Sequence, residues 1–426
     1  MPFPTAGFGS GWDQGAGTGE IEFALKNFYL PGMEEQKNNA RVLLANVERN
    51  ERDVSGSYAF VPLLLGRNWG IGMRANRQQL PDPGAQAGVR AQIPMRYAFG
   101  RLIVTLHAMT ATKNSEGSYD TVIDVETEGL MEDLPKDINR QLFLDGAGRL
   151  GKLSADPVAG TTIDLDNADL DAPRAPSGAT AEFTKYIEVG MRIDFIDPGG
   201  PSARAGAGRT VASITDANTF EIDAGADAGV ADNDWVSVEG NYGIELTGLL
   251  AMVSASGTYQ GVNRATGGNE RWQANEVTAP GATLWSTTVA LAEADMQTTW
   301  TACEKASGIA PNMILGTYEA RDAYAALLES DRRFVNTIEY RGGFKGPEFH
   351  DVGLIPDTEA PKGYLWFLNT SYMAIYQQAG LQFMDDDGAV LSRVSDYPAY
   401  EATLYWFFEL GARRCNCHAR LQGLSV

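Results

Sequence analysis

Between Val54 and Thr112 the chain carries six arginines (Arg67, Arg74, Arg77, Arg90, Arg96 and Arg101), no lysine and one carboxylate, Asp82. The segment stands at +5 in a chain of 426 residues at −21, which leaves −26 for everything else. A cationic arm on an acidic body is complementary to another copy of itself, because the planar arginine fork pairs with carboxylates through two parallel hydrogen bonds. Self-assembly is the first expectation. Gly70 to Asn76 and Val89 to Thr105 read as strands, with Gln78 to Gly88 (QQLPDPGAQAG) as a turn-forming tip. The roughly 15 residues leading back from the tip span about 50 Å, whereas a compact domain of the whole length has a radius of gyration of about 22 Å. Such a hairpin has the reach to project onto a neighbour, and equally to lie over its own body with solvated arginines.

At 44% hydrophobic and 21% charged residues the chain has material for two or three packed domains. The Gly-rich start lacks a basic, apolar leader, and no run approaches the roughly 18 apolar residues that cross a membrane, so synthesis and folding in a cytosol are expected. The odd count of three cysteines, Cys303, Cys415 and Cys417, agrees with a reducing compartment. Cys415, Cys417 and His418 (CNCH) offer three zinc donors, but structural zinc sites take four ligands and a wider cysteine spacing. Carboxylates outnumber Lys plus Arg by 55 to 34, which argues against extensive phosphate binding. Trp69, Tyr97 and Phe99 lie among the arginines as stacking candidates, and are expected instead to pack.

Along the chain, Glu34 to Val47 reads as a helical piece of an N-terminal arm. From Ser118 to Gly146 the spacing of Leu130, Leu134, Ile138 and Leu142 gives a helix that Pro135 is expected to kink or interrupt. Leu153 to Gly243 reads as a small β module with strands at Met191 to Phe195, Thr210 to Ile214, Thr219 to Ile222 and Trp235 to Val238. Its Asp164, Asp166, Asp169 and Asp171 lack the glycine and glutamate of a calcium loop and read as a solvated acidic loop, as does Asp385-Asp386-Asp387-Gly388. Helices follow at Val289 to Cys303 and Ala320 to Leu328, and strands at Met313 to Leu315, Leu365 to Leu368 and Tyr400 to Leu410.

Catalytic signals are weak. His107, His350 and His418 are the three histidines, and no G-x-S-x-G elbow occurs. Gly146, Gly148 and Gly151 satisfy G-x-G-x-x-G but follow a helix, the reverse of a dinucleotide loop. No enzyme activity, cofactor or metal is expected, with an acidic hydrolase carrying an inserted β domain and a modular β-rich binder as competing readings.

The segments VPLLLGRNWGIGMR (Val61 to Arg74), DINRQLFLDGAGRL (Asp137 to Leu150), NRATGGNERWQANEV (Asn263 to Val277) and FMDDDGAVLSR (Phe383 to Arg393) resemble, in order and phrasing, the major capsid proteins of tailed bacteriophages with the Hong Kong 97 fold. The resemblance implies an α+β chain with an N-terminal arm (1–53), an extended loop (54–112), a spine helix (113–152), an inserted β domain (153–243), a peripheral domain (244–308), an axial domain (309–395) and returning C-terminal strands (396–426). It implies hexamers and pentamers closing into an icosahedral shell around double-stranded DNA, held weakly and without specificity, with portal, scaffolding and decoration proteins as partners. A cellular nanocompartment shell of the same fold is the alternative. The expected assembly contacts are Arg67, Arg74, Arg77, Leu80, Pro81, Arg90, Arg96 and Arg101. Some family members link this loop to a neighbour through a lysine, but none lies between Lys37 and Lys113, so noncovalent contacts are expected. The short segment before Val54 leaves little room for a built-in scaffold, so a separate one is expected.

Overall fold

The computed structural model describes residues 41–112, 122–157, 160–166, 183–200, 203–204, 208–225, 229–282, 287–329, 337–339, 345–385, 390–395 and 397–425. Strand β1 (Tyr58–Gly66) pairs antiparallel with β2 (Ala87–Pro94) from Tyr58 opposite Pro94 to Gly66 opposite Ala87. Alternation decides its faces: Ala59, Val61, Leu63 and Leu65 point into the main core with Ala91 and Ile93, while Tyr58, Phe60 and Leu64 point to solvent. The hairpin therefore begins at Tyr58, and Gly70 to Asn76, expected as strand, has no regular structure. Val61, Leu63 and Leu65 bury more free energy against the body than they would in a free-standing ribbon, which is why the ladder lies closer to the core than the sequence indicated.

After Met95, strand β3 (Arg96–Thr105) leaves the hairpin and joins a different sheet. Helix α1 (Val122–Phe143) packs across it. A Cβ at Gly100 would meet Leu130 Cδ1 at 2.8 Å, so this strand position needs a glycine for the helix to approach. Contrary to expectation, α1 runs uninterrupted through Pro135. Proline removes one N–H and crowds the preceding turn, but Ile138, Leu142 and Phe143 beyond it are fully buried and anchor the C-terminal half, so the helix is not interrupted there. The expected start at Ser118 and the first half of the Glu34 to Val47 helix lie outside the described residues, which show a short helix at Val42–Asn46.

Gly146 (φ +86°) and Gly148 (φ +72°) turn the chain from α1 into a strand, as the order of the glycine motif requires. Six strands then close a barrel: β4 (Arg149–Leu153), β5 (Thr162–Asp166), β6 (Arg192–Ile196), β7 (Arg209–Ile214), β8 (Thr219–Ile222) and β9 (Trp235–Val238), in the spatial order β8-β5-β4-β9-β6-β7. Its interior is filled by Leu150, Ile163, Leu165, Phe195, Phe220 and Val236. Strands β4 and β5 escaped the sequence reading. Asp164 and Asp166 are strand residues rather than loop, and Asp164 accepts from the Thr219 hydroxyl at 2.8 Å, while Asp169, Asp171 and Asp386 to Gly388 lie outside the described residues. The chain enters and leaves the barrel at adjacent points, since a Cβ at Gly148 would sit 2.8 Å from the Asn241 carbonyl oxygen. Just beyond, Arg140 on α1 and Glu245 form a buried pair at 2.7 Å.

Helices α2 (Glu293–Ser307) and α3 (Tyr318–Glu329) pack on a seven-stranded mixed sheet whose centre is Tyr364–Leu368, Met313–Gly316 and Val352–Pro356. Strand β10 (Met373–Phe383) pairs with β11 (Ala399–Ala412), and β11 pairs on its other side with β3 over ten residues, from Ala399 opposite Thr105 to Phe408 opposite Arg96. The main core, built on Trp272, Trp366, Trp406, Phe408 and Tyr259, lies where these layers meet.

Polar groups inside this core join distant parts of the chain. Asp357 accepts from the Leu43 amide (3.1 Å), the Glu359 amide (2.9 Å) and the Asn139 side chain (3.1 Å). Arg264, 1% exposed, donates to the carbonyls of Met252 (2.6 Å), Ala251 (2.8 Å) and Trp272 (3.2 Å) and lies over the Tyr259 ring. Arg264→Met keeps the volume but strands those carbonyls, and unsatisfied buried groups cost 1–3 kcal/mol each. Chemical denaturation is expected to show a loss of about 3 kcal/mol or more.

Candidate assembly surface

Beyond Gly66 the hairpin ends in a tip, residues 67–86, without a strand ladder. The tip is braced by itself. The Asn68 side-chain oxygen accepts from the Gly70 amide at 2.7 Å, and Gly70 approaches Gly84 so closely that a Cβ would lie 2.6 Å from its nitrogen. Arg74 donates through Nε to the Gln79 carbonyl (2.9 Å) and through Nη1 to the Met73 carbonyl (3.0 Å). Arg77 sits in the left-handed region at φ +68°, a conformation that costs an L side chain energy and that glycine would adopt freely. Trp69 (76% exposed), Ile71, Met73 (98%) and Leu80 (79%) point into solvent. Large apolar side chains exposed together on a braced segment make the tip a candidate contact surface.

The eight expected contact residues divide. Arg67, Arg74, Arg77 and Leu80 lie on the exposed tip, with Pro81 half-buried among them. Arg67 stacks over Trp69 at 4.8 Å, so Trp69 is not the packing residue the sequence suggested. Arg90 lies over Phe60 at 4.2 Å on the outer face of the hairpin. Arg96 and Arg101 lie on β3 at the root rather than on the tip. Arg101 pairs with Glu401 and Arg96 faces Glu409 at 3.4 Å, both on β11, because the β3 register sets these side chains beside that strand. Tyr97 and Phe99 meet the Phe407 ring edge-on at 5.0 and 5.8 Å, yet each remains more than half exposed.

Glu409 is the residue that sequence reasoning missed. Its signal was a single acid in the apolar run YWFFEL of β11. One carboxylate oxygen accepts from the Thr247 amide (2.8 Å) and the Leu410 amide (3.0 Å), while the other faces Arg96 without the alignment of a hydrogen bond. Beside it, a cavity of about 290 Å³ lies against Tyr58, Gln92, Pro94 and Tyr259 at the root of the hairpin. Burial pushes the Glu409 carboxyl up to about 7, more than the amides and Arg96 lower it.

The remaining polar candidates are dispersed. His418 is fully buried, its Nδ1 accepts from the Asn369 amide at 3.2 Å, and burial drives it down to about 4. Cys415 lies 3.6 Å from Arg264 and Cys417 donates to the Arg414 carbonyl, both thiols being pushed up to about 12 by burial. His350 contacts Gln297 at 2.6 Å and stacks on Trp300, and His107 is exposed near the end of β3. Among the described residues no three His, Cys, Asp or Glu side chains are grouped to hold a metal ion, and no described helix is long and apolar enough to cross a membrane.

No known family model and no curated protein sequence matches the chain. Solved structures do. The capsid subunit of Cyanophage A-1(L) superposes with a TM-score of 0.58 at 15% identity, covering 94% of this chain and 98% of the other. The SrpI encapsulin of Synechococcus elongatus superposes with a TM-score of 0.50 at 9% identity, covering 96% and 95%. The chain thus has the mixed helix-and-strand fold of shell-forming subunits, in agreement with the expected fold class.

Glu409 and His418 act on stability in opposite directions. Glu409 holds a proton in the folded chain that the unfolded chain releases, so its contribution is full below pH 4.5 and is lost as pH rises through about 7. His418 contributes fully above pH 6.5 and loses its contribution as pH falls through about 4. In Glu409→Gln the first effect disappears. Between pH 4.5 and 7, denaturation is expected to shift the stability difference in favour of the variant by about 3 kcal/mol.

Proposed function

We propose that the chain is the structural subunit of an icosahedral capsid that encloses double-stranded DNA, assembling as hexamers and pentamers without enzymatic chemistry. The observation that carries this reading is the braced tip, whose apolar side chains and arginines are exposed among the described residues. The likeness to a phage capsid subunit along nearly the whole chain supports it. In this reading residues 1–53 form an N-terminal arm, 54–112 the extended loop, 113–152 the spine helix, 244–308 the peripheral domain and 309–395 the axial domain, with 396–426 returning to the core. The barrel, proposed as an inserted domain over 153–243 and begun in the structure by β4 at Arg149, acts as an insertion, which its adjacent entry and exit points favour.

Arg67, Arg74, Arg77, Leu80, Pro81 and Arg90 form the intersubunit contact, while Arg96 and Arg101 fix the root from which it projects. Burying an apolar side chain contributes about 1.5–3 kcal/mol, and ordering two partners costs about 4–15 kcal/mol. One tip is therefore a modest contact, and stability comes from each subunit touching several neighbours in a closed symmetric array. Portal, separate scaffolding and decoration proteins complete the particle, which is assembled in the host cytoplasm. The encapsulin likeness supports a second reading, a nanocompartment shell with protein cargo.

Size-exclusion chromatography with negative-stain imaging is expected to show shells or capsomer rings, and a strictly monomeric chain would contradict the proposal. Packaged DNA or protein cargo separates the two readings. Reversing Arg74, Arg77 and Arg90 to glutamate is expected to abolish particles while circular dichroism stays unchanged, because the three side chains are exposed. Unchanged yield and stability of particles would remove the tip from the interface.

A further inference from the structure

The barrel has an interior of its own. Its apolar cluster is drawn from residues 150–238, and among the described residues it shares no side chain with the main core or with the two other apolar clusters of the body. Apolar burial therefore fixes the inside of the barrel and leaves its position on the body to other contacts.

Two regions of contact stand out. The first is the neck. Gly148 on the way in lies against Asn241 on the way out, and the Gly243 amide donates to the Ala147 carbonyl at 3.0 Å. Gly240 (φ +74°) and Gly243 (φ +72°) hold left-handed conformations with no atom within 4 Å of where a Cβ would stand. Tyr242 stacks on Trp235 at 5.9 Å, with Arg149 also over that indole, so the barrel extends as one packed unit up to Tyr242. Arg149 pairs with Asp145 close to the neck, where a rotation displaces atoms least.

The second region is polar and lies away from the neck. The turn at 183–188 belongs to the barrel: the Thr184 amide donates to the Ala217 carbonyl at 3.0 Å, its hydroxyl donates to the Asp216 carbonyl at 3.1 Å, and Phe183, Tyr186 and Ile187 join the interior cluster. From this turn the Tyr186 hydroxyl donates to the Glu359 carbonyl at 2.7 Å, and Lys185 Nζ to the Ala360 carbonyl at 2.8 Å. Glu188, well exposed, pairs with Lys136 of α1 at 3.1 Å. Each is a contact that water replaces at small net cost once both partners are hydrated. The loop beneath them is firmly seated, because its Asp357 holds the Leu43 amide and the Asn139 side chain.

We propose that the barrel is a hinged module: Tyr186 and Lys185 latch it to loop 357–360, and when the latch opens it pivots as one body about the neck at Gly148 and Gly243. The hinge is a property of the single chain and goes beyond the shell reading. In a shell of hexamers and pentamers it would let one sequence place the barrel in unequal surroundings.

Single-molecule fluorescence on the full chain tests this, at dilutions where subunits stand alone. Dyes on Ser213→Cys of β7 and Thr298→Cys of α2, both exposed positions, report the distance from barrel to body. The native cysteines are buried, with thiols pushed up to about 12, and stay unlabelled. One dominant distance is expected with the latch intact. Adding Lys185→Met and Tyr186→Phe together is expected to raise the population of a second distance about tenfold. A dye pair within the barrel, on Ser213→Cys and Asp232→Cys, is expected to keep its distance. An unchanged barrel-to-body distance in the latch variant would overturn the hinge, and so would a changed distance within the barrel, which would mean unfolding rather than pivoting. If the double latch variant does not fold, Tyr186→Phe alone decides: a second distance raised about threefold supports the hinge, and its absence overturns it.

Discussion

The ten-residue pairing of β3 with β11 is the constraint on which the rest of the surface depends. Because β3 continues the chain of the hairpin, pinning it to the central sheet fixes where the hairpin departs. Arg96, the first residue past the joint at Met95, is held against the buried Glu409. On the other side of the joint, Val61, Leu63 and Leu65 bury the inner face of β1 in the same core. The projection is thus not a loose loop. Only residues 67–86 stand clear of a ladder, and Arg74 and the Gly70–Gly84 approach brace them. In the proposed assembly such bracing would lower the entropy lost on docking, leaving more of the burial energy of the exposed apolar side chains as affinity.

The same economy runs through the core, where polar groups join segments far apart in sequence. Asp357 connects the segment before β1 to α1, Arg264 holds the carbonyls of a loop that Trp272 closes, and Arg140 with Glu245 ties α1 to the exit of the barrel. Each is costly to break because its partners are buried and would be left unsatisfied. Such nodes fix the segment before β1, the long helix and the exit of the barrel relative to one another.

Much of this was legible before the structure. The β-module strands from Arg192 onward, the helices at Glu293–Ser307 and Tyr318–Glu329 and the spacing of Ile138 and Leu142 followed from periodicity and turn residues. The failures share one cause: tertiary partners overrode local preference. Pro135 is tolerated because packing on both sides holds α1, and RLGKL at Arg149 becomes a strand because two barrel neighbours pair with it. Gly70 to Asn76 alternates like a strand but lacks a partner and stays irregular. That Arg67, Arg74 and Arg77 share one exposed segment could be read from charge alone. Arg96 and Arg101 could not be separated from them, since their carboxylate partners lie about three hundred residues away and only the fold brings them together.

The central claim is that the tip is completed by another copy. Hydrogen exchange of residues 67–86, compared between dissociated subunits and assembled particles, tests it most directly. The expected result is fast exchange in the subunit and strong protection in the particle, confined to this segment and the surface that receives it. Equal protection in both states, or none in the particle, would contradict it.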